Sequence, residues 1–170
     1  METGERGMHR LWAVWRMKYI ENLDTHPEDV FSELPKHEDG PGNLIVHRGR
    51  TCYVLLNLFP YNTGHCMVVP FRAVPEPGDL TGEEMLEMMQ LVSRVVRALR
   101  RGLGAQGFNL GMNLGKIAGA GIPRHLHFHV VPRWSGDTNF MPVVGETKVM
   151  PESLEDTYRK VRRALDEEPA

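Results

Sequence analysis

His125-Leu126-His127-Phe128-His129-Val130-Val131 is the stretch on which the reading of this chain turns. Apolar residues and imidazoles alternate at period two, the pattern of a half-buried strand. Successive side chains of a strand leave it on opposite faces, so His125, His127 and His129 form a row with neighbours roughly 6.5–7 Å apart. Leu126, Phe128 and Val130 point the other way, into a core. Packing has no use for three imidazoles on one face, but two chemistries do. A His-x-His strand can chelate zinc if a third ligand comes from elsewhere and water takes the open position. A neutral imidazole can instead attack phosphorus covalently while its neighbours adjust charge and protonation. The surroundings favour the second. The loop Lys116-Ile117-Ala118-Gly119-Ala120-Gly121-Ile122-Pro123-Arg124 precedes the row, and its backbone N–H groups can line an anion site. Lys116, Arg124 and Arg133 are the nearest cations in sequence. The strand holds no acid to complete a metal shell, and the first one after it is Asp137.

Working outward, Gly107–Gly115 reads as a strand before the glycine-rich loop, with Gly111 and Gly115 weakening it or allowing close backbone approach. Upstream, Asn43–Gly49 and Thr51–Leu58 are short β-rich runs around the turn His47-Arg48-Gly49-Arg50, which predicts a hairpin. A third strand, Gly64–Pro70, follows the turn signal Pro60-Tyr61-Asn62-Thr63-Gly64 and stops at its proline. Between the two halves lies one long helix. Thr81 and Glu84 form a capping box, and Met85, Met88, Met89, Val92, Val96, Leu99 and Leu103 recur at helical spacing. Arg94, Arg97, Arg100 and Arg101 read as its solvated face, and Gly102 with Gly104 ends it. Leu154, Tyr158, Val161 and Leu165 predict a short C-terminal helix after Pro151. Strands with segregated helices give an α+β domain: a mainly antiparallel sheet with a long helix and terminal helices.

The 170 residues are 41% hydrophobic, enough for one compact core. Residues 1–42 read as an N-terminal helix and a polar arm, whose part 21–42 is acidic and rich in Pro and Gly. Residues 43–135 form the domain proper, and 136–170 a C-terminal extension packed on it. A formal net charge of −2 gives no bulk attraction to nucleic acid or to anionic membranes. No apolar run approaches the ~20 residues of a membrane span, and METGERGMHR does not read as a signal peptide. Cys52 and Cys66 lack metal-type spacing and read as buried reduced thiols. These features predict a cytoplasmic protein whose partner is a small molecule.

The histidine row, His-apolar-His-apolar-His followed by two apolar residues, resembles the signature of the histidine-triad (HIT) family. Gly64-His65-Cys66-Met67-Val68-Val69-Pro70 resembles that family's upstream strand, whose histidine meets the triad in space. Asn57, eight residues before His65, falls where members place an Asp or Asn on the ribose hydroxyls, and Asn113 where they place an Asn or Gln on the phosphates. The ends of the chain, LWAVWRMKYI and GDTNFMPVVGETKV, look like a bacterial and archaeal subgroup linked to dinucleoside polyphosphates such as diadenosine tetraphosphate.

The resemblance implies a HIT-like fold and a homodimer. It also implies a nucleotide-cleaving enzyme in which His127 attacks an α-phosphate to form a nucleotidyl-histidine. The base rests near Leu56 and Leu58 and the ribose on Asn57. Asn113 and the N–H groups around Gly119 and Gly121 hold the phosphate. His129 serves a phosphate oxygen or the leaving group, and His125 and His65 support the nucleophile's ring and tautomer. Two departures stand out. Many members of the subgroup carry a Cys-x-x-Cys zinc pair after the first helix, but residues 21–42 hold no cysteine, so no tightly bound cofactor is expected, only Mg²⁺ carried by substrate. A phosphate-side Ser or Thr three residues before the first histidine is here Ile122. The transferase branch of the family, including galactose-1-phosphate uridylyltransferases, has Gln at the third position, so His129 points to the hydrolases. Phosphorolytic members with a third His leave water and phosphate both open as acceptor. A nucleoside phosphoramidase or other nucleotide hydrolase, a metal-dependent enzyme using the histidine row, and a nucleotide sensor are the alternatives.

Overall fold

A hairpin begins the sheet. In the computed structural model, which describes residues 29–137 and 149–169, β1 (Ile45–Arg48) and β2 (Cys52–Leu56) pair antiparallel, with an irregularity between Ile45 and His47. The Glu87 carboxylate reaches up from a helix below and accepts the N–H groups of Arg50, Thr51 and Cys52, at 2.7, 2.5 and 3.0 Å. That one carboxylate satisfies three turn donors that would otherwise have no partner in the hairpin. The sheet continues through β3 (Cys66–Pro70), β4 (Gly107–Gly111) and β5 (Phe128–Arg133) in the order β1-β2-β3-β5-β4, every pairing antiparallel. The α+β architecture with a mainly antiparallel sheet, expected from the sequence, is what the chain forms.

The described residues fall almost wholly in one compact unit, 27–135 with 150–170. The N-terminal helix and most of the stretch after the triad expected from the sequence lie outside the described residues. Strand alternation divides the core in two. Val54, Leu56, Cys66, Val68 and Val130 face the long helix, whereas Tyr53, Leu55, Met67 and Val69 face the opposite side together with Ile45 and Phe31. The histidines lie on that second side, since His129 pairs with Met67 and Gly111 across the ladder.

Three helices complete the unit: α1 (Val30–Glu33), α2 (Gly82–Leu103) and α3 (Leu154–Asp166). The capping box at Thr81 and Glu84 is present. Glu84 also receives Arg72 at 3.0 and 2.6 Å, and that guanidinium holds its carboxyl down at about 2 despite burial. The buried stripe of α2 is Met88, Leu91, Val92, Val95, Ala98 and Leu99, rotated from the stripe expected, so Met85 and Met89 are exposed at 47% and 49%. The sequence offers apolar side chains on more than one face, and the sheet beneath selects among them. The helix also runs through Gly102 and ends at Gly104, which takes the left-handed conformation at φ 65°. Its arginines are not a merely solvated face. Arg94 donates to the carbonyls of Leu165 and Glu168, Arg101 to that of Ala164, and Arg97 pairs with Glu168, which clamps the end of α3.

The polar stretch before residue 43 is also more than a connection. Asp29 caps α1, Phe31 is buried, and the Tyr53 hydroxyl donates to the Phe31 carbonyl at 2.7 Å.

Candidate active site

The last strand begins later than the sequence suggests. It starts at Phe128, so His129 alone of the three lies within the ladder, while residues 121–127 approach the sheet irregularly. Leu126 donates to the Val74 carbonyl at 2.7 Å and His125 to that of Ile122 at 3.2 Å, which ties this segment down before pairing begins. The three rings therefore do not stand in an even row. The His127 and His129 centroids are 4.9 Å apart with planes at 76°, closer than the strand spacing expected.

Each ring has a hydrogen-bond partner that dictates its protons. The Tyr61 backbone N–H donates to His65 Nδ1 at 3.0 Å, so the proton of a neutral His65 sits on Nε2. That Nε2 lies 2.9 Å from His129 Nδ1 and donates to it. The proton of His129 is thereby displaced to its own Nε2, a buried atom with no partner among the described residues. An unpaired buried N–H is costly and is retained where a ligand is to receive it. His127 presents the reverse face. Its Nδ1 donates to the His125 carbonyl at 2.9 Å, which leaves a lone pair on Nε2. Burial, together with the nearby His125 ring, lowers the His127 pKa against the opposing pull of that carbonyl. Burial and His127 push His129 down to about 4. Both rings are neutral at pH 7. A nucleophilic lone pair thus stands beside a hydrogen-bond donor.

The upstream turn is fixed so that His65 arrives in register. Asn62 donates to the Pro132 carbonyl at 3.0 Å, and Gly64 adopts φ 76° where a Cβ would stand 2.6 Å from Leu103. Tyr61 lays its ring on His65 at 4.7 Å between centroids and reaches His129 at 5.8 Å.

On the far side, α1 covers the first two histidines. His125 is fully buried, its Nε2 2.8 Å from the Pro70 carbonyl and its Nδ1 2.8 and 3.0 Å from the two Asp29 oxygens. The Phe31 ring meets His125 edge-on at 5.6 Å and His127 at 5.0 Å. Burial opposes ionisation of Asp29, but hydrogen bonds from Ser32 and His125 outweigh it and lower its pKa. Asp29 and Phe31 are the residues that sequence reasoning missed. A signal existed: Asp29 followed by Val30-Phe31-Ser32 is an N-cap before an apolar pair.

The expected nucleotide contacts are distributed unevenly. Asn57 is half-buried at the end of β2, its N–H bonded to the His65 carbonyl at 2.8 Å and its Oδ1 to the Phe59 N–H at 2.9 Å. Leu58 is exposed, but Leu56 is 1% exposed and belongs to the core beneath the sheet, so its side chain is not on the face where a base would rest. A two-residue alternation explains the error: the histidine-side residue of that strand end is Leu55. Asn113 follows β4 by two residues, just beyond the Gly111–His129 pairing. The Gly119 N–H is spent on the Lys116 carbonyl at 3.0 Å and that of Ala120 on Gly115 at 3.2 Å, so Gly119 does not offer its own donor to an anion. Gly121 lies exposed in the same loop. Arg133 pairs with Gly107 at the far end of β5 and donates to Asn109, roughly six strand residues from His127, which removes it from the anion site.

Comparison with known proteins bears on the family and the fold. The family model described as HIT domain matches residues 41–136. The chain is 43% identical over 166 residues, 92% of its length and 85% of the relative's, to a Mycobacterium tuberculosis protein named AP-4-A phosphorylase. It is 33% identical over 107 residues, 63% of the chain and 56% of the relative, to the Schizosaccharomyces pombe bis(5'-nucleosyl)-tetraphosphatase (asymmetrical). Among solved structures, a zinc-bound histidine triad family protein from Mycobacterium smegmatis superposes with a TM-score of 0.64 at 26% identity, over 80% of this chain and 91% of that one.

Proposed function

The chain belongs to the HIT domain family, and on that premise we propose that it cleaves diadenosine tetraphosphate through a nucleotidyl-histidine on His127, with phosphate as the acceptor. The observation that carries the chemistry is the opposition of two ring nitrogens, the His127 Nε2 lone pair beside the His129 Nε2–H. The lone pair forms a bond to the α-phosphorus as the bond to the bridging oxygen breaks, and ATP leaves. His129 donates a hydrogen bond to the oxygen on which charge develops, a donor in place before reaction. A phosphate oxygen then attacks the same phosphorus, the N–P bond breaks, and ADP departs while His127 regains its lone pair. Phosphoryl-type transfers need positioning and charge stabilisation above all, which suits so sparse a site.

The mycobacterial relative named AP-4-A phosphorylase supports phosphate as acceptor, and the yeast relative named a tetraphosphatase supports water. Product chromatography at several phosphate concentrations decides between them. ADP with ATP, rising with phosphate, supports the proposal. AMP with ATP, unchanged by millimolar phosphate, leaves a hydrolase.

Zinc does not fit this site. A ligating imidazole needs a lone pair, and both ring nitrogens of His125 face acceptors, the Pro70 carbonyl and Asp29. Among the described residues no three His, Cys, Asp or Glu side chains are placed to share a metal. The proposal therefore includes no tightly bound cofactor, and Mg²⁺ enters only with substrate. It also includes a homodimer in the cytoplasm. The edge position of β4, with Leu110 and Leu114 exposed, supports pairing of copies there, and light scattering in solution tests it. No helix among the described residues is long and apolar enough to cross a membrane.

A further inference from the structure

We propose that Asp29 is a positioning residue for this reaction: it holds His125 as an imidazolium, and that buried cation keeps the nucleophile His127 free of its second proton. The inference rests on the proposed attack by His127 and adds a residue from outside the matched family region. Its basis is proton accounting at His125. The Pro70 carbonyl can only accept, so Nε2 carries a proton. An ionised carboxylate can only accept, so Nδ1, 2.8 Å from Asp29 Oδ1, carries another. An imidazole with two N–H groups is a cation.

Asp29, already paired with His125, is also anchored from its other side. The Ser32 backbone N–H donates to Oδ1 at 3.3 Å and its hydroxyl to Oδ2 at 2.5 Å, so the cap of α1 doubles as the anchor of the carboxylate. A fully buried imidazolium without a counter-charge would be expelled or lose its proton. The chain supplies that counter-charge 96 residues upstream.

The arrangement differs from a carboxylate that bonds the reacting imidazole itself. There the acid makes the base more basic. Here it pairs with a different ring, two residues along the chain and packed against the same Phe31 ring as His127, whose charge disfavours a second proton on the nucleophile. The ionisable groups around the pair are few. Asp29 comes from the α1 cap, the Tyr53 phenol from β2 (raised by burial and by Asp29), His65 from the approach to β3, and His129 from β5. Arg124, exposed, precedes His125 in the chain. His127 donates to the carbonyl of the same residue whose ring is charged, so one residue both orients the nucleophile and sets its protonation.

Two variants separate charge from shape. Asp29→Asn keeps the size of the group and can still meet a neutral His125, but it removes the anion. Ser32→Ala loosens the same turn and keeps the anion. The readouts are histidine ring ¹⁵N spectra of the free protein and the pH profile of kcat/KM for diadenosine tetraphosphate. The expected result is one doubly protonated ring in the wild-type spectrum at pH 7.5, assigned to His125 by its loss in His125→Gln, and its absence in Asp29→Asn. The acid limb of the profile moves up by about one unit in Asp29→Asn, so that activity falls about tenfold below that limb and less than about threefold at pH 8.5. Ser32→Ala leaves the limb in place. A wild-type spectrum with no doubly protonated ring overturns the proposal whatever the variants do. So does a doubly protonated His125 that persists in Asp29→Asn with an unmoved limb. The spectra need no substrate, so failure of the nucleotide reading, seen as undiminished cleavage by His127→Asn, is distinguishable from failure of this one.

Discussion

His65 Nε2 stands 2.9 Å from His129 Nδ1, and this contact between neighbouring strands fixes which nitrogen of His129 can donate to a ligand. His129→Ala is expected to lower kcat on diadenosine tetraphosphate by about 10²-fold, the usual cost of losing one donor aimed at developing charge. The loss shrinks toward wild type for an AMP ester with a p-nitrophenolate leaving group, which needs no such help. His65→Phe frees His129 to take the other tautomer and is expected to weaken kcat more than KM. Steady-state kinetics with the two substrates checks both outcomes, and an equal loss on both substrates contradicts the assignment.

His127→Asn is expected to reduce turnover by about 10⁴-fold or more while nucleotide affinity changes little, because the covalent step is lost outright and positioning remains. Calorimetric titration with a non-cleavable analogue measures the affinity. Rapid quench followed by intact-mass measurement detects the nucleotidyl-protein in the wild type and its absence in the variant. A larger loss from His125→Asn than from His127→Asn would overturn the choice of nucleophile.

The depressed imidazoles make stability pH-dependent in a definite direction. His129 titrates at about 4 in the folded chain, below the ordinary histidine value of 6.5. Between those values the unfolded chain binds a proton that the folded one refuses, so stability falls as pH drops from about 6.5 toward 4. The contribution is on the order of 3 kcal/mol across the whole window. The lowered His127 acts the same way, and the lowered Asp29 adds stability that is lost as pH falls through its folded value. Urea unfolding at pH 6.5, 5.5 and 4.5 is expected to show a falling midpoint, least steep in His129→Gln.

Chelation is expected to leave the fold intact. His125 has no lone pair to give, since its nitrogens serve Asp29 and Pro70. Purified protein treated with EDTA should keep its circular dichroism signal and melting temperature. Collapse on chelation would show a structural metal and overturn this expectation.

The strands and the long helix were legible in the sequence because period-two runs, a capping box and helical spacing are local patterns. The face of α2 was not, because Met85 and Met89 satisfy the helical period as well as Leu91 and Val95 do, and only the sheet beneath chooses. The histidines on one side were readable from alternation, although the true strand starts at Phe128. Leu56 was misplaced by a single step of that alternation. Asp29 was missed for a different reason: its meaning is a pairing with a ring far along the chain, and a short acidic arm carries no period that announces a partner.

The contacts that assemble the site join residues 64 positions apart at His65–His129 and 96 apart at Asp29–His125. Long-range closures of this kind raise contact order and slow folding, because loop entropy is lost before the contact compensates for it. No excised hairpin or helix contains both halves of either pair. Recovery of catalysis during refolding should therefore trail the return of helical signal from α2, whose cap and hydrogen bonds are local. Enzyme activity then serves as a late reporter of the folded chain.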